Sequence, residues 1–95
     1  MMNWFVYILR SQRSGQHYIG ITTDVQRRLA DHNRGKDFSV RGRGPFDIVR
    51  IEPFESRSEA MRRERQIKSY KGGEAFRRLI ASAQTGIADS RVPIV

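Results

Sequence analysis

The chain predicts an α+β domain, a small three-stranded antiparallel sheet flanked by about three helices in the order β-β-α-β-α-α. Three observations predict it. Residues 3–10 and 17–22 are apolar runs rich in aromatic and β-branched residues, separated only by a polar stretch with Ser-Gly turn chemistry, as in a hairpin. Twice, a hydroxyl residue is followed three positions later by Gln or Glu at the start of a helical pattern, the signature of a capped helix. Finally, a chain of 95 residues buries about two-thirds or less of its unfolded surface, enough for one core and no more.

In residues 3–10, Trp4, Val6 and Ile8 fall on one face and Phe5, Tyr7 and Leu9 on the other. Two apolar faces mean a strand covered on both sides, hence the central one. Residues 17–22, His-Tyr-Ile-Gly-Ile-Thr, read as its hairpin partner. Thr23 with Gln26 then fits a capping box, and Asp24 favours the positive end of a helix dipole. Val25, Leu29 and His32 share one face of that helix, and Asn33 with Gly35 supplies the stop. Residues 34–45 form a loop rich in Arg, Lys and Gly. A third strand spans 46–54, with Asp47, Val49 and Ile51 on one side, Phe46, Ile48 and Arg50 on the other, and Pro53 marking its end. Ser56 with Glu59 repeats the capping box and predicts a helix over 57–70, which Gly72 and Gly73 break. A last helix over 74–83 carries Ala75, Phe76, Leu79, Ile80 and Ala83 at helical spacing. Residues 1–84 are therefore expected to form the domain, and residues 85–95, with Gly86 and Pro93, a loose tail.

Lys and Arg number 18 against 10 Asp and Glu, a net charge of +8 with a pI near 11.0. So strong a surplus on so small a body favours an anionic partner, nucleic acid first and acidic protein or membrane headgroups after it. Cysteine is absent, which excludes a disulfide framework, a thiol nucleophile and Cys-ligated zinc or iron–sulfur centres. No apolar run approaches the roughly 18 residues of a membrane span, and the N-terminus lacks a signal-like pattern, so a cytoplasmic protein is expected.

The helix over 57–70 holds the most informative residue. Ala60, Glu64, Ile67 and Lys71 share one face, so Glu64 sits on the stripe that should meet the core. A carboxylate aimed inward is costly without a partner. Glu64 either pairs with an arginine or reaches the surface at the stripe's edge, or it serves as a metal ligand or catalytic carboxylate in a cleft. On the first helix Arg28 and His32 are i, i+4 neighbours, the former suited to gripping a phosphate and the latter to hydrogen bonding one. Tyr7 and Tyr18 occupy neighbouring strands, where two phenols either pack or present hydroxyls to a ligand.

Together these residues resemble the GIY-YIG nuclease superfamily, in particular its short stand-alone bacterial branch. The family's hallmark is a first-strand Gly-Ile-Tyr, a second-strand Tyr-Ile-Gly, an arginine ten residues after the second tyrosine, and a glutamate on a later helix. Here the first triplet reads Phe5-Val6-Tyr7, the second, Tyr18-Ile19-Gly20, is intact, and Arg28 stands ten residues beyond Tyr18. His32 and Glu64 follow in order, the latter within Ala60-Met61-Arg62-Arg63-Glu64. The first triplet departs from the family pattern but keeps its tyrosine. Many members carry a separate DNA-recognition domain, and none is expected within these 95 residues.

The resemblance implies a phosphodiester-cleaving enzyme using one divalent ion, Mg²⁺ or Mn²⁺, bound by Glu64 with waters and substrate phosphate oxygens. It implies Arg28 on the scissile phosphate, Tyr7 as the base toward water, and Tyr18 and His32 as orienting groups, although members differ in how the two tyrosines divide the work. Arg27, Arg34, Lys36, Arg41, Arg43, Arg63, Lys68 and Lys71 are candidates for tracking phosphates without reading sequence, the remaining cations serving solubility and i, i+4 pairing. DNA is expected ahead of RNA, in a low-specificity endonuclease with repair as one setting. The competing expectation is a non-catalytic nucleic-acid-binding module on the same scaffold. Oligomeric state is not legible in the sequence.

Overall fold

Strand β1 (Trp4–Ser11) lies between β2 (His17–Thr22) and β3 (Phe46–Phe54), both antiparallel to it, in a sheet of order β2-β1-β3. The computed structural model describes residues 3–35 and 44–82. Helix α1 (Val25–Asn33) follows the hairpin, α2 (Arg57–Ser69) follows β3, and a third helix, α3, occupies residues 74–82. Order and class are those predicted. Of the expected elements, most of the 34–45 loop, Ala83 and the 85–95 tail lie outside the described residues.

The alternation of β1 builds two cores. Val6 and Ile8 pack with Ala60, Ile67 and Phe76, which places α2 and α3 on one face. Tyr7 and Leu9 pack with Val25 and Phe46, which places α1 on the other. Between β1 and β2, Ser11 closes the turn: its hydroxyl accepts from Arg13 N–H and Ser14 N–H, and Gly15 takes the positive φ of 77° that the tight return requires.

Several local expectations need correction. The register of β1 against β3 slips between Ile8 and Leu9, because Ile8 faces Arg50 while Leu9 faces Ile48. Val49 is the extra residue of a β-bulge. Alternation across it therefore reverses, and Ile51 joins the core of Phe46 and Ile48 while Val49 packs on the opposite face. The strand itself spans the expected 46–54, pairing through Pro53 to Phe54 opposite Trp4. The cap of α1 is Asp24, one residue after Thr23, because its carboxylate accepts from Arg27 N–H at 3.0 Å while Thr22 Oγ1 holds the Asp24 N–H at 3.1 Å. Ser56 caps α2 as expected by accepting from Glu59 N–H. That helix stops at Ser69 with Tyr70 as its C-cap, one residue short of the expected end, and on α3 Ala75 is exposed.

Candidate active site

Tyr7 faces Gly20 and Leu9 faces Tyr18 across the hairpin, so the two phenols sit diagonally on the α1 face. The tyrosine of β1 is buried, only 4% exposed, and its ring lies across Gly20. A Cβ at Gly20 would stand 2.7 Å from Tyr7 Cζ, so glycine is required here for close approach and the phenol is free to reach over β2.

Onto that hydroxyl α1 brings two groups. Arg28 Nε donates to Tyr7 Oη at 3.2 Å, and His32 Nε2 lies 3.5 Å from the same oxygen. These residues reach it because Val25, Leu29 and His32 turn one face of α1 to the sheet and Arg28 borders it. The far end of α1 is pinned to β3, where Asn33 Oδ1 accepts from Phe46 N–H at 2.7 Å. His32 is buried in an aromatic box, with ring centroids 6.1 Å from Tyr7, 6.3 Å from Tyr18 and 5.6 Å from Phe46. Phe46 also stands edge-on to Tyr18 at 5.3 Å. Four of the five predicted catalytic residues thus converge in one cluster.

Glu64 comes from the other side of the sheet. Ala60 and Ile67, the buried residues of α2, belong to the opposite core. At about 100° per residue, Ala60 and Ile67 mark the centre of the buried stripe, Arg63 lies about 60° to one side and Glu64 about 40° to the other. Arg63 reaches β3, where its Nε meets Glu52 Oε1 at 2.7 Å and its guanidinium also holds Oε2 at 3.0 Å. Glu64 must therefore point the other way, toward β2, the strand over which the Tyr7 hydroxyl also projects. Any meeting of carboxylate and phenols runs around that open sheet edge. Its side chain is 20% exposed and pairs with Lys68 at 3.1 Å.

Among the described residues no group of three or more His, Cys, Asp or Glu side chains gathers. The donor set for a metal is thus a single hard carboxylate. Such a set suits Mg²⁺, which keeps several waters and takes one or two protein carboxylates plus phosphate oxygens, and does not suit a closed protein cage. Glu64 fits that role chemically, since its partner Lys68 is a solvent-facing side chain that can swing away.

The predicted phosphate-tracking residues divide into three sets. Arg27 and Lys71 are exposed, Arg34 is exposed and paired with Asp31 at 2.7 Å, and Lys68 holds Glu64. Arg63 is committed to Glu52 and Gln66. Lys36, Arg41 and Arg43 lie outside the described residues. Burial raises the Glu52 carboxyl, but hydrogen bonds from Arg63 and Arg50, and then their charge, outweigh it and hold the group below its ordinary value. Sequence reasoning named Gly20 in the second triplet without seeing its packing role, and missed Phe46 and Glu52 as parts of this assembly. A glycine inside an apolar strand was the available signal for the first. Phe46 and Glu52 act through long-range partners, which periodicity does not disclose.

Residues 3–74 match the family model described as the GIY-YIG catalytic domain. A UPF0213 protein of Halobacterium salinarum is 50% identical over 64 residues, covering 66% of this chain and 82% of that protein. The UPF0213 protein YhbQ of Escherichia coli is 36% identical over 95 aligned residues, covering 90% of this chain and 94% of its own length. The solution NMR structure of the UPF0213 protein BH0048 from Bacillus halodurans is 42% identical, covers 79% of this chain and 92% of that one, and superposes with a TM-score of 0.44.

Proposed function

We infer a phosphodiester-cleaving nuclease from the premise that this chain belongs to the GIY-YIG family. The observation that carries the inference is the convergence of Arg28 Nε and His32 Nε2 on one buried phenol oxygen beside Tyr18. The substrate is DNA, cut with little sequence preference, and residues 1–84 form the catalytic unit. Repair or the trimming of branched and single-stranded ends in the cytoplasm is the setting that fits.

Each residue then has a task. Arg28, planar and permanently charged, binds the scissile phosphate and meets the charge that grows on it in the transition state. The N–H it donates to Tyr7 Oη stabilises a phenolate at that oxygen. His32 Nε2 accepts the proton that Tyr7 gives up, and the phenolate takes one from the attacking water. Tyr18 orients water or phosphate at the mouth of the cluster. Glu64 is the residue that would hold Mg²⁺ or Mn²⁺, a bound divalent ion supplying Lewis-acid stabilisation of the leaving oxygen. Arg27, Arg34, Lys68 and Lys71, with Lys36, Arg41 and Arg43, follow the phosphate backbone without reading bases.

Labelled single-stranded, duplex and branched DNA, incubated with and without Mg²⁺ or Mn²⁺, tests this directly beside a Glu64→Ala variant. The expected result is metal-dependent cleavage by the parent and none by the variant, which still binds DNA. Undiminished cleavage by Glu64→Ala ends the metal assignment. A second reading, a nucleic-acid-binding module without catalysis, is favoured by the Glu64–Lys68 pair, which already neutralises the one acid. Salt-sensitive binding with no product under any metal selects it.

A further inference from the structure

We propose that the Glu52–Arg63 pair sets the roll of α2 about its axis and thereby aims Glu64 at the β2 edge, so that both act as positioning residues. The inference rests on the nuclease function above, with Glu64 as its acid.

Packing alone specifies the roll of α2 weakly. In thirteen residues it buries only Ala60 and Ile67, a narrow stripe whose first member is a single methyl. Apart from Met61, which is partly buried, every other residue of the helix is polar, and four are arginines, Arg57, Arg62, Arg63 and Arg65. A roll of about 100°, one residue step, would present Arg62 to the sheet in place of Arg63 and carry Glu64 from the β2 edge out to solvent. What distinguishes the observed roll is Glu52, whose side chain is 14% exposed and which faces Val6 on the central strand.

Glu52 receives two N–H groups from Arg63, at 2.7 and 3.0 Å, and one from Arg50 at 2.7 Å. A planar guanidinium held by both carboxylate oxygens fixes direction as well as distance, which a point charge does not. Gln66 Oε1 accepts from Arg63 Nη1 at 2.7 Å and braces the guanidinium from its own helix. Arg63 and Glu64 are adjacent in sequence and flank the buried stripe, so anchoring one on β3 determines where the other points. The ion pair thus converts a sheet contact on one flank into an aim on the other.

Mn²⁺ as a paramagnetic probe, with the full chain labelled for amide NMR, tests the aim apart from turnover. In the parent, Mn²⁺ should broaden amide signals of α2 around Glu64 and also those of Tyr18 and Gly20 on β2. In Glu52→Gln the α2 signals should still broaden while those of Tyr18 and Gly20 recover. The Mg²⁺ concentration giving half-maximal cleavage should rise about tenfold, the scale on which groups behind a metal ligand act. KM for DNA should stay within about twofold. Arg63→Gln should behave alike, and Arg63→Lys, which keeps charge without the fork, should fall between. If Glu52→Gln loses α2, seen as loss of its amide dispersion, the Arg63→Lys and Arg63→Gln comparison carries the test. Parent-like broadening of Tyr18 and Gly20 in these variants overturns the positioning role while leaving the nuclease intact. A parent that neither cleaves DNA nor shows Mn²⁺ broadening at α2 removes the nuclease function and, with it, this inference.

Discussion

The two faces of β1 come from one strand, a single residue out of phase, and they hold different things. On the α2 and α3 face, Val6 and Ile8 meet Ala60, Ile67 and Phe76, a cluster of aliphatic and aromatic side chains. On the α1 face, Tyr7 and Leu9 meet Val25 and Phe46, yet the same layer admits a buried imidazole and a hydroxyl that receives a guanidinium N–H. Buried polar groups cost free energy unless paired, so a small domain with little stability to spare accepts them where they serve chemistry. The contrast teaches where each property resides: the first face supports the fold and carries Glu64 on its α2 flank, and the second gathers the phenols, Arg28 and His32.

The largest expected effect falls on the supporting face. Phe76→Ala removes the buried aromatic of α3, which packs with Val6, Ile8 and Ile67 and sits 5.0 Å from the His17 ring. Such truncations cost about 3–5 kcal/mol. For a domain this small that lowers Tm by more than about 12 °C. Below its melting point the variant should still cleave DNA at close to the parent rate, since α3 contributes no group to the cluster. Calorimetry alongside a cold cleavage assay checks both halves, and a variant that keeps its Tm while losing activity breaks the division of labour.

Next in size is the complementary change on the reactive face. Arg28→Ala withdraws the N–H donated to Tyr7 and the charge proposed to meet the phosphate. Loss of one preorganised donor costs about 10²–10³ in rate. Arg28 is only half-buried, so the melting temperature should move by no more than a few degrees. Single-turnover cleavage with saturating DNA separates the lost step from lost binding. A Tm drop as large as that of Phe76→Ala would show that this face, too, chiefly supports the fold.

The same contrast explains what was legible in the sequence. The central position of β1 followed from two apolar faces, and the hairpin and capped helices followed from local chemistry at Ser11–Gln16, Thr23–Gln26 and Ser56–Glu59, the first helix's cap standing one residue later than expected, at Asp24. Strand alternation and helix spacing, which are local rules, placed Tyr18, Arg28 and His32 on their faces, and the family resemblance gave them their roles. The bulge at Val49 was not legible, because it depends on pairing with β1, and it parted Ile51 from Val49, moving Ile51 to the side of Phe46 and Ile48. Helical spacing placed Glu64 on the buried stripe, but the flank it points to depends on Glu52, eleven residues before Arg63 and on another element. Three arginines in Arg62, Arg63 and Arg65 look equivalent as sequence, and only the sheet distinguishes the one that binds.

The smallest effect sharpens the comparison through pH. His17 belongs to the supporting face, with its ring edge-on to Phe76 and Arg10 opposite it across the hairpin. Burial first, and the charge of Arg10 second, hold its imidazole below the ordinary value of 6.5. As pH falls through 6.5, the unfolded chain takes up a proton that the folded chain resists, so stability present above that pH declines toward the lowered value. His17→Phe keeps a ring against Phe76 and removes the titration. Urea unfolding at pH 7.5 and pH 5.5 should therefore show the parent losing more stability than the variant, with any contribution of His32 common to both. Cleavage at pH 7.5 should be unaffected, because His17 lies on the opposite face from Tyr7. Parallel losses in the two proteins would mean that His17 carries no protonation-linked cost in the folded state.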